Sequence, residues 1–391
     1  MKRLISFLLS AALLAANAFP AAAIGVKDVE KTEYDFSGVK SYVLTEAATG
    51  QNRILAGKNE DTRLPVASLT KLMLLLIVAE EISAGRVTMS DIVTTSASAA
   101  AKDGSVIWLR AGEKMEMGEL VKSVVISSAN DAAAAIACHL SGTEEAFIAR
   151  MNAKAAELGL VNTQYRNVAG YDEDGHYSTA ADTAVILSEV LKYSYFAEFF
   201  MTRLDNVRPG TDNETQLLNT NKLIKYKGMI GGKTGTTTNA GYCLSAGAER
   251  GNLRLIAVVL GAGNEDGRTS AVRSLLDGGF AGWSVFTPDI ADNEKIHPVK
   301  VEKGVAKTAE AEIAAAPAAV IPKGRGADVK YSYILTEKVT APVAKGDKLG
   351  AVYGFLDGEK LFQADITAKT DCPELTFRKS FEIMLGAFLL N

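Results

Sequence analysis

Ser68 and Lys71 stand three positions apart ahead of a long apolar run, and a serine hydroxyl beside a lysine amine is a pairing that can attack a carbonyl. Residues three apart on a helix share a face, so the two side chains can touch. The lysine can take the serine proton only where burial or nearby positive charge keeps much of it neutral. The sequence supplies the burial: after Pro65, residues 69 and 72–78 are apolar on every face until Gly85 offers a stop, the pattern of a central helix. A serine in the first turn also meets unpaired backbone N–H groups and the positive helix end, which favour negative charge developing beside it. Taken alone, Ser68-Leu69-Thr70-Lys71 is short and common and reads as an ordinary helix cap.

Two more polar clusters follow in order. Ser128-Ala129-Asn130 lies between the apolar stretch 120–126 and an alanine-rich helical run, which makes it a tight corner between two helices or, on its own, a simple turn. Lys233-Thr234-Gly235 sits in the glycine-rich stretch 229–237, followed by apolar runs at 242–248 and 253–260 across the turn Glu249-Arg250-Gly251-Asn252, which predicts consecutive antiparallel strands. A strand avoids glycine unless something must approach its backbone closely, and a ligand lying along this edge is the natural candidate. A glycine-rich turn carrying a solvated lysine explains the tripeptide alone but not the three clusters together.

With these three motifs, S-x-x-K, S-x-N and K-T-G, the chain resembles the serine penicillin-recognising enzymes. Met151-Asn152, Leu158-Gly159-Leu160, Asn167 and Gly175-His176-Tyr177-Ser178-Thr179-Ala180-Ala181-Asp182 are similar to the D-alanyl-D-alanine carboxypeptidases among the low-molecular-mass penicillin-binding proteins, as are residues 228–241. Residues 341–350 resemble the carboxy-terminal β domain of the same family. The resemblance implies a mixed α/β fold of the penicillin-binding and β-lactamase type, in which an antiparallel sheet is covered by helices and followed by a small all-β domain. It implies Ser68 as nucleophile, Lys71 as its base and Ser128 as proton relay. It also implies that Asn130 bonds the substrate amide, that the N–H groups of Ser68 and Thr236 hold the oxyanion, and that Lys233, Thr234, Gly235 and Arg268 border the carboxylate site. The expected substrates are peptidoglycan stem peptides, with β-lactam antibiotics as acylating mimics and no cofactor. One departure stands out: where the family usually reads Asn-Pro-His-Gly-Leu, this chain has Asn167-Val168-Ala169-Gly170-Tyr171, so a histidine beside the site is missing.

The elements that must position these residues are legible in outline. Residues 41–44 and 53–56 predict a hairpin ahead of the catalytic helix, helices dominate residues 71–200, and strands return from Met229. Strands at both ends with helices between fit one sheet covered by helices. Beyond Trp283, prolines punctuate short alternating segments such as 331–335, which predicts a second, smaller β domain over residues 290–374 after a peptidase domain over 24–285. The alanine-rich piece 306–320 reads as a helix or a linker, and Pro317 weakens the helix reading.

Both chain ends carry their own signals. Lys2 and Arg3, an apolar stretch over 4–16 and Ala21-Ala22-Ala23 read as a secretory signal at residues 1–23, which predicts an exported protein at the outer face of the cytoplasmic membrane or in the wall. In residues 375–391, Phe377, Phe381, Met384, Leu385 and Phe388 recur at helical spacing with Arg378, Lys379 and Glu382 between them. That is an amphipathic helix, too short to span a bilayer, which needs about 20 apolar residues. Its apolar face suits either the β domain or a membrane surface, and the family resemblance favours the membrane.

Other chemistries find little support. The formal charge of −4, in a chain of 391 residues with 48% hydrophobic content, offers no footprint for nucleic acid. His139, His176 and His297 form no metal-binding spacing, which excludes a metallopeptidase. Cys138, Cys243 and Cys372 are widely spaced, and the first two fall in apolar patterns where cysteine acts as a small hydrophobe rather than a bridge or nucleophile. A β-lactamase remains the nearest competing reading, since it shares the three motifs but needs a water-activating glutamate in class A. Glu157 sits in the carboxypeptidase-like Glu157-Leu158-Gly159-Leu160 instead. A catalytically inactive wall-binding module is the other, and the intact Ser68, Lys71, Ser128, Asn130 and Lys233 argue against it.

Overall fold

Residues 33–290 and 296–389 are described by a computed structural model, and the expected signal segment lies outside them. Five strands build the central sheet: β1 (Ser41–Glu46), β2 (Ile54–Lys58), β3 (Met229–Thr237), β4 (Gly241–Arg250) and β5 (Leu253–Ala262). They run β2-β1-β5-β4-β3 with every pairing antiparallel, so the expected hairpin and the K-T-G strand end up at opposite edges of one sheet.

Side chains alternate across a strand, and β5 shows both faces in use. Ile256, Val258 and Leu260 join the core with the catalytic helix, while Leu255, Ala257 and Val259 join a second core on the other side. Burial on both faces makes β5 an almost unbroken apolar run, as in other doubly covered sheets. The first face is covered by α1 (Lys71–Ser83), α2 (Met117–Ile126), α3 (Asn130–Ser141), α4 (Glu144–Glu157) and α5 (Ala180–Val190). The second is covered by α6 (Glu265–Gly282), whose Ala271, Val272, Leu275 and Leu276 recur at helical spacing.

Residues 72–79 of α1 are all buried, and none is more than 2% exposed. Such a helix cannot slide or tilt without opening cavities, and each large side chain lost there costs about 2 to 5 kcal/mol. Ser68, the expected nucleophile, lies in the turn that leads directly into this buried helix.

The following β domain contains a four-stranded and a three-stranded sheet. The alanine-rich stretch 306–320 is extended, not helical: Thr308–Ala309, Ala311–Ile313 and Ala319–Pro322 are strands, the second paired with Glu359–Ala368. Tertiary pairing overrides alanine's helix preference here. Trp283–Phe286 pairs with Ala319–Pro322, and Arg53 of the hairpin loop donates to Val320 O at 2.9 Å while lying over the Trp283 ring, so the two domains are tied by backbone pairing as well as packing.

The chain continues into α7 (Phe377–Leu389), where Phe377 is 89% and Met384 66% exposed. Phe377, Phe381, Met384 and Leu385 of the apolar stripe are therefore exposed rather than packed on the β domain, and the Phe388 side chain lies outside the described residues. Among the described residues no helix is long and apolar enough to cross a membrane.

Candidate active site

The expected nucleophile, Ser68, sits beside a strained residue. Ser68 lies in a 3-10 turn, Ala67–Thr70, that feeds directly into α1, so Lys71 is the first residue of the α-helix and Ser68 precedes it. Ala67 is held at φ +49 and Ser128, the first residue of the second motif, at φ +65, conformations that non-glycine residues adopt rarely and at a cost of about 1 to 3 kcal/mol. Two glycines allow the surrounding chain to close on this corner. A Cβ on Gly235 would stand 2.9 Å from Ser68 N and 2.8 Å from Val66 O. Gly170, at φ +91, would place a Cβ 1.9 Å from Ala67 O. Gly235 thus keeps strand β3 against the Ser68 backbone, beside the expected oxyanion donors.

Lys71 is fully buried, with Nζ 2.9 Å from Ser68 Oγ. Its other acceptors are Asn130 Oδ1 and the Ala169 carbonyl, each at 2.7 Å. Burial, and next the Lys233 charge, hold the Lys71 ammonium well below the ordinary lysine range, with Asp131 opposing them. Lys233 is 1% exposed and is lowered to about 7, first by burial and then by Arg268. Burial and the neighbouring Lys233 charge together favour the neutral Lys71 amine, the form that can accept a proton.

Strand β3 and α6 supply the far side. Lys233 donates to Thr234 O at 3.0 Å, and Thr234 Oγ1 donates to Thr220 Oγ1 at 2.6 Å. Arg268 is 5% exposed, and its Nη1 donates to Gly235 O, Thr236 Oγ1 and Cys243 O while Nη2 meets Glu265. A cleft of ≈ 740 Å³ is lined by Ser68, Ser128, Thr234, Gly235, Thr236 and Arg268, among others. Three buried polar atoms of its lining residues have no hydrogen-bond partner among the described residues: Ser128 Oγ, Asn221 Nδ2 and Arg268 Nε. Such groups are expensive to leave unmet, and their gathering along one cleft marks it as built for a polar ligand.

All nine residues singled out in the sequence therefore converge on one region, with two differences from the expected roles. The Asn130 amide does not stand open for substrate: Oδ1 accepts from Lys71, and Nδ2 donates to Asp103 O and Tyr171 Oη. Arg268 is not a free fork either, because most of its donors already grip β3 and Glu265. Sequence reasoning missed the Ala169 carbonyl, which carries no side-chain signature, and Tyr171, which reaches Asn130 from the loop where the family histidine is absent. It also missed Asp131, whose carboxylate accepts from the Ile107 and Leu109 N–H groups and braces the loop beside the cleft. The fourth omission is His176, which contacts Thr70 Oγ1 through Nε2 at 2.8 Å and accepts from Arg166 N through Nδ1, coupling the Ser68 turn to the loop that carries Ala169.

The family model for D-alanyl-D-alanine carboxypeptidases matches residues 29–264 of this chain. The chain belongs to that family. Residues 288–374 match the C-terminal domain of penicillin-binding protein 5. The D-alanyl-D-alanine carboxypeptidase DacF of Bacillus subtilis is 40% identical over 379 residues, covering 96% of each chain. DacC of Escherichia coli is 33% identical and covers 91% of this chain and 88% of its own. Among solved structures, penicillin-binding protein 5 of Haemophilus influenzae superposes with a TM-score of 0.77 at 30% identity, covering 88% of this chain and 99% of that one. This low-molecular-mass penicillin-binding protein is thus a serine D-Ala-D-Ala carboxypeptidase by descent as well as by motif.

Proposed function

We propose that Ser68, Lys71 and Ser128 carry out the carboxypeptidase reaction of this enzyme, removing the terminal D-alanine from peptidoglycan stem pentapeptides through a Ser68 acyl-enzyme. The observation that carries the assignment is the 2.9 Å approach of the fully buried Lys71 Nζ to Ser68 Oγ, which lines the cleft. Neutral Lys71 accepts the Ser68 proton as Oγ attacks the carbonyl between the two D-alanines. The N–H groups of Ser68 and Thr236 receive the oxyanion, and such a donor is commonly worth about 3 to 4 kcal/mol. As the C–N bond breaks, the proton passes through the Ser128 hydroxyl to the leaving amine and free D-alanine departs. Water then cleaves the ester and regenerates Ser68. Penicillin acylates the same serine, because its lactam amide imitates the scissile bond while its ring keeps the leaving group tethered. Removing the terminal D-alanine takes away the group a cross-linking enzyme needs, so the activity limits cross-linking.

A β-lactamase role is disfavoured by the acids. Among the described residues Glu265 is the one carboxylate lining the cleft, and Lys222 and Arg268 already hold it. Glu157 is exposed and pairs with Lys154 at 2.7 Å. The acyl-enzyme formed with penicillin is therefore expected to be long-lived, giving a stoichiometric burst with nitrocefin; steady turnover would reverse this reading.

Recognition of the free terminal carboxylate falls to Thr234, Lys233 and Arg268. The carboxylate carries the charge that a protonated Lys233 attracts, and Arg268 both adds positive potential and holds Gly235 and Thr236 in place. The Arg268→Ala variant is expected to lose at least tenfold in kcat/KM on diacetyl-Lys-D-Ala-D-Ala, with a smaller loss for the C-terminal amide of the same peptide. Equal losses on acid and amide would make Arg268 a purely structural clamp. Wild-type release of D-alanine from the acid is the accompanying test of the activity itself.

The signal-like start and the exposed apolar stripe of α7 support export and attachment to the outer face of the cytoplasmic membrane. Phe381, Ile383, Met384 and Leu385 are each at least 44% exposed, and Arg378 and Lys379 lie on the same helix to meet anionic headgroups. Truncation before Leu375 is expected to leave tripeptide activity unchanged while abolishing co-sedimentation of the mature chain with anionic vesicles. Mature protein that stays in the supernatant would contradict the attachment.

A further inference from the structure

Beside the catalytic cleft lies a second cavity of ≈ 460 Å³, lined by Ile107, Trp108, Arg110, Arg208, Asn213 and Gln216 among others. Its wall is unusual in three ways. The Trp108 indole is 71% exposed, a large apolar surface given to water. Trp108 has φ +54 and Arg208 φ +56, so two bulky residues facing one cavity are both held in a backbone conformation that favours glycine. Arg208 Nη2 is buried and has no hydrogen-bond partner among the described residues, although Nε and Nη1 are anchored on Glu113 and Ile107 O. The strain at Trp108 is maintained on purpose by its neighbours: the buried Asp131 carboxylate accepts from the N–H groups of Ile107 and Leu109 on either side.

We propose that this cavity is a subsite for the glycan of the substrate, with Trp108 stacking on the apolar face of an amino-sugar ring and Arg208 and Gln216 bonding its hydroxyl and acetamido oxygens. A flat aromatic rimmed by polar side chains suits a pyranose, which has one C–H face and an edge of oxygens, better than it suits the continuous apolar patch of a protein partner. Position fits as well. Ser105 lines the catalytic cleft, its carbonyl accepting from Asn130 N, and Trp108 follows three residues later, at most about 11 Å away along the chain. On the opposite wall Leu218 lines the cleft, and Gln216, about 7 Å back along the same strand, lines the second cavity. The four stem residues upstream of the scissile bond extend about 13 to 14 Å, a reach longer than either of these two spans between the cleft lining and the second cavity.

This subsite rests on the carboxypeptidase reading, and the experiment separates the two. Trp108→Ala and Trp108→Phe are compared with wild type on GlcNAc-MurNAc-pentapeptide and on sugar-free diacetyl-Lys-D-Ala-D-Ala. The alanine variant is expected to lose about tenfold in kcat/KM on the muropeptide, mostly through KM, with less than a twofold change on the tripeptide, and the phenylalanine variant to recover part of the loss. Quenching of tryptophan fluorescence by GlcNAc-MurNAc, measured on the Ser68→Ala protein, is expected to disappear when Trp108 is replaced. Equal losses on both substrates would show that Trp108 only shapes the Ser105 loop. No loss on either, or self-association that depends on Trp108 with muropeptide kinetics intact, would also overturn the subsite. If wild type releases no D-alanine from either substrate the carboxypeptidase reading fails, and the fluorescence titration still decides whether the cavity binds sugar.

Discussion

Lys71→Ala is expected to fold and yet to be acylated by penicillin roughly 10²- to 10⁴-fold more slowly than wild type, the usual contribution of a positioned general base. The variant removes the amine that stands 2.9 Å from Ser68 Oγ while leaving Ser68, the expected oxyanion donors and the cleft lining in place. Folding should survive, because a buried lysine whose pKa is pushed well down already destabilises the native state, and alanine removes that penalty along with three hydrogen bonds. The pH profile of wild type carries the same argument with its sign. Lys71 must be neutral to act, so acylation rises with pH through its depressed pKa. Lys233 must be charged to draw the carboxylate, so kcat/KM on the tripeptide falls as pH rises past about 7, where Lys233 loses its proton. Stopped-flow acylation across pH measures both limbs. A Lys71→Ala protein with near-normal acylation would remove Lys71 from the base role.

Gly170→Ala is expected to have the second largest effect, although the residue contributes no side chain. The added Cβ would lie 1.9 Å from Ala67 O, on a residue at φ +91, so both the backbone strain and the overlap must be relieved by moving the Ser68 turn. A loss of roughly 2 to 5 kcal/mol of stability follows from the two effects together. Because the displaced atoms adjoin the nucleophile, acylation should fall at least tenfold even at temperatures where the variant is fully folded. Gly50→Ala is the control: Gly50 is at φ +76, but nothing lies within 4 Å of its added Cβ. It should lose only about 1 kcal/mol to strain and keep its acylation rate. Thermal denaturation and burst amplitude measured on both variants separate a distorted nucleophile from general instability.

Those two residues also mark the boundary of what can be read from a sequence. Ser68, Lys71, Ser128 and Lys233 were legible because their chemistry resides in side chains at spacings that a helix, a corner and a strand translate into proximity. The strands from Met229 onward and the hairpin at residues 41–58 were legible because short apolar runs bounded by turn residues leave a pattern even when both faces are buried. Gly170 and the Ala169 carbonyl were not, since a backbone atom that meets a lysine 98 positions away leaves no local trace. Asn130 and Arg268 were recognised by type, but how many of their hydrogen bonds the protein itself consumes depends on Tyr171, Asp103 and Glu265, which only the tertiary fold brings in. The stretch 306–320 shows the opposite limit: its alanines favour a helix locally, and the partner strand Glu359–Ala368 decides otherwise. Trp108 carries no motif at all, and its significance emerges only from an exposure, a dihedral angle and a neighbouring cavity.

The central claim is that Ser68 is the acylated nucleophile. Peptide mass spectrometry after brief exposure to benzylpenicillin tests it most directly. The account predicts one adduct per chain, confined to the peptide containing Ser68, absent from Ser68→Ala and accompanied in that variant by loss of D-alanine release from diacetyl-Lys-D-Ala-D-Ala. An adduct that maps to another residue, or that persists with D-alanine release in Ser68→Ala, would contradict it.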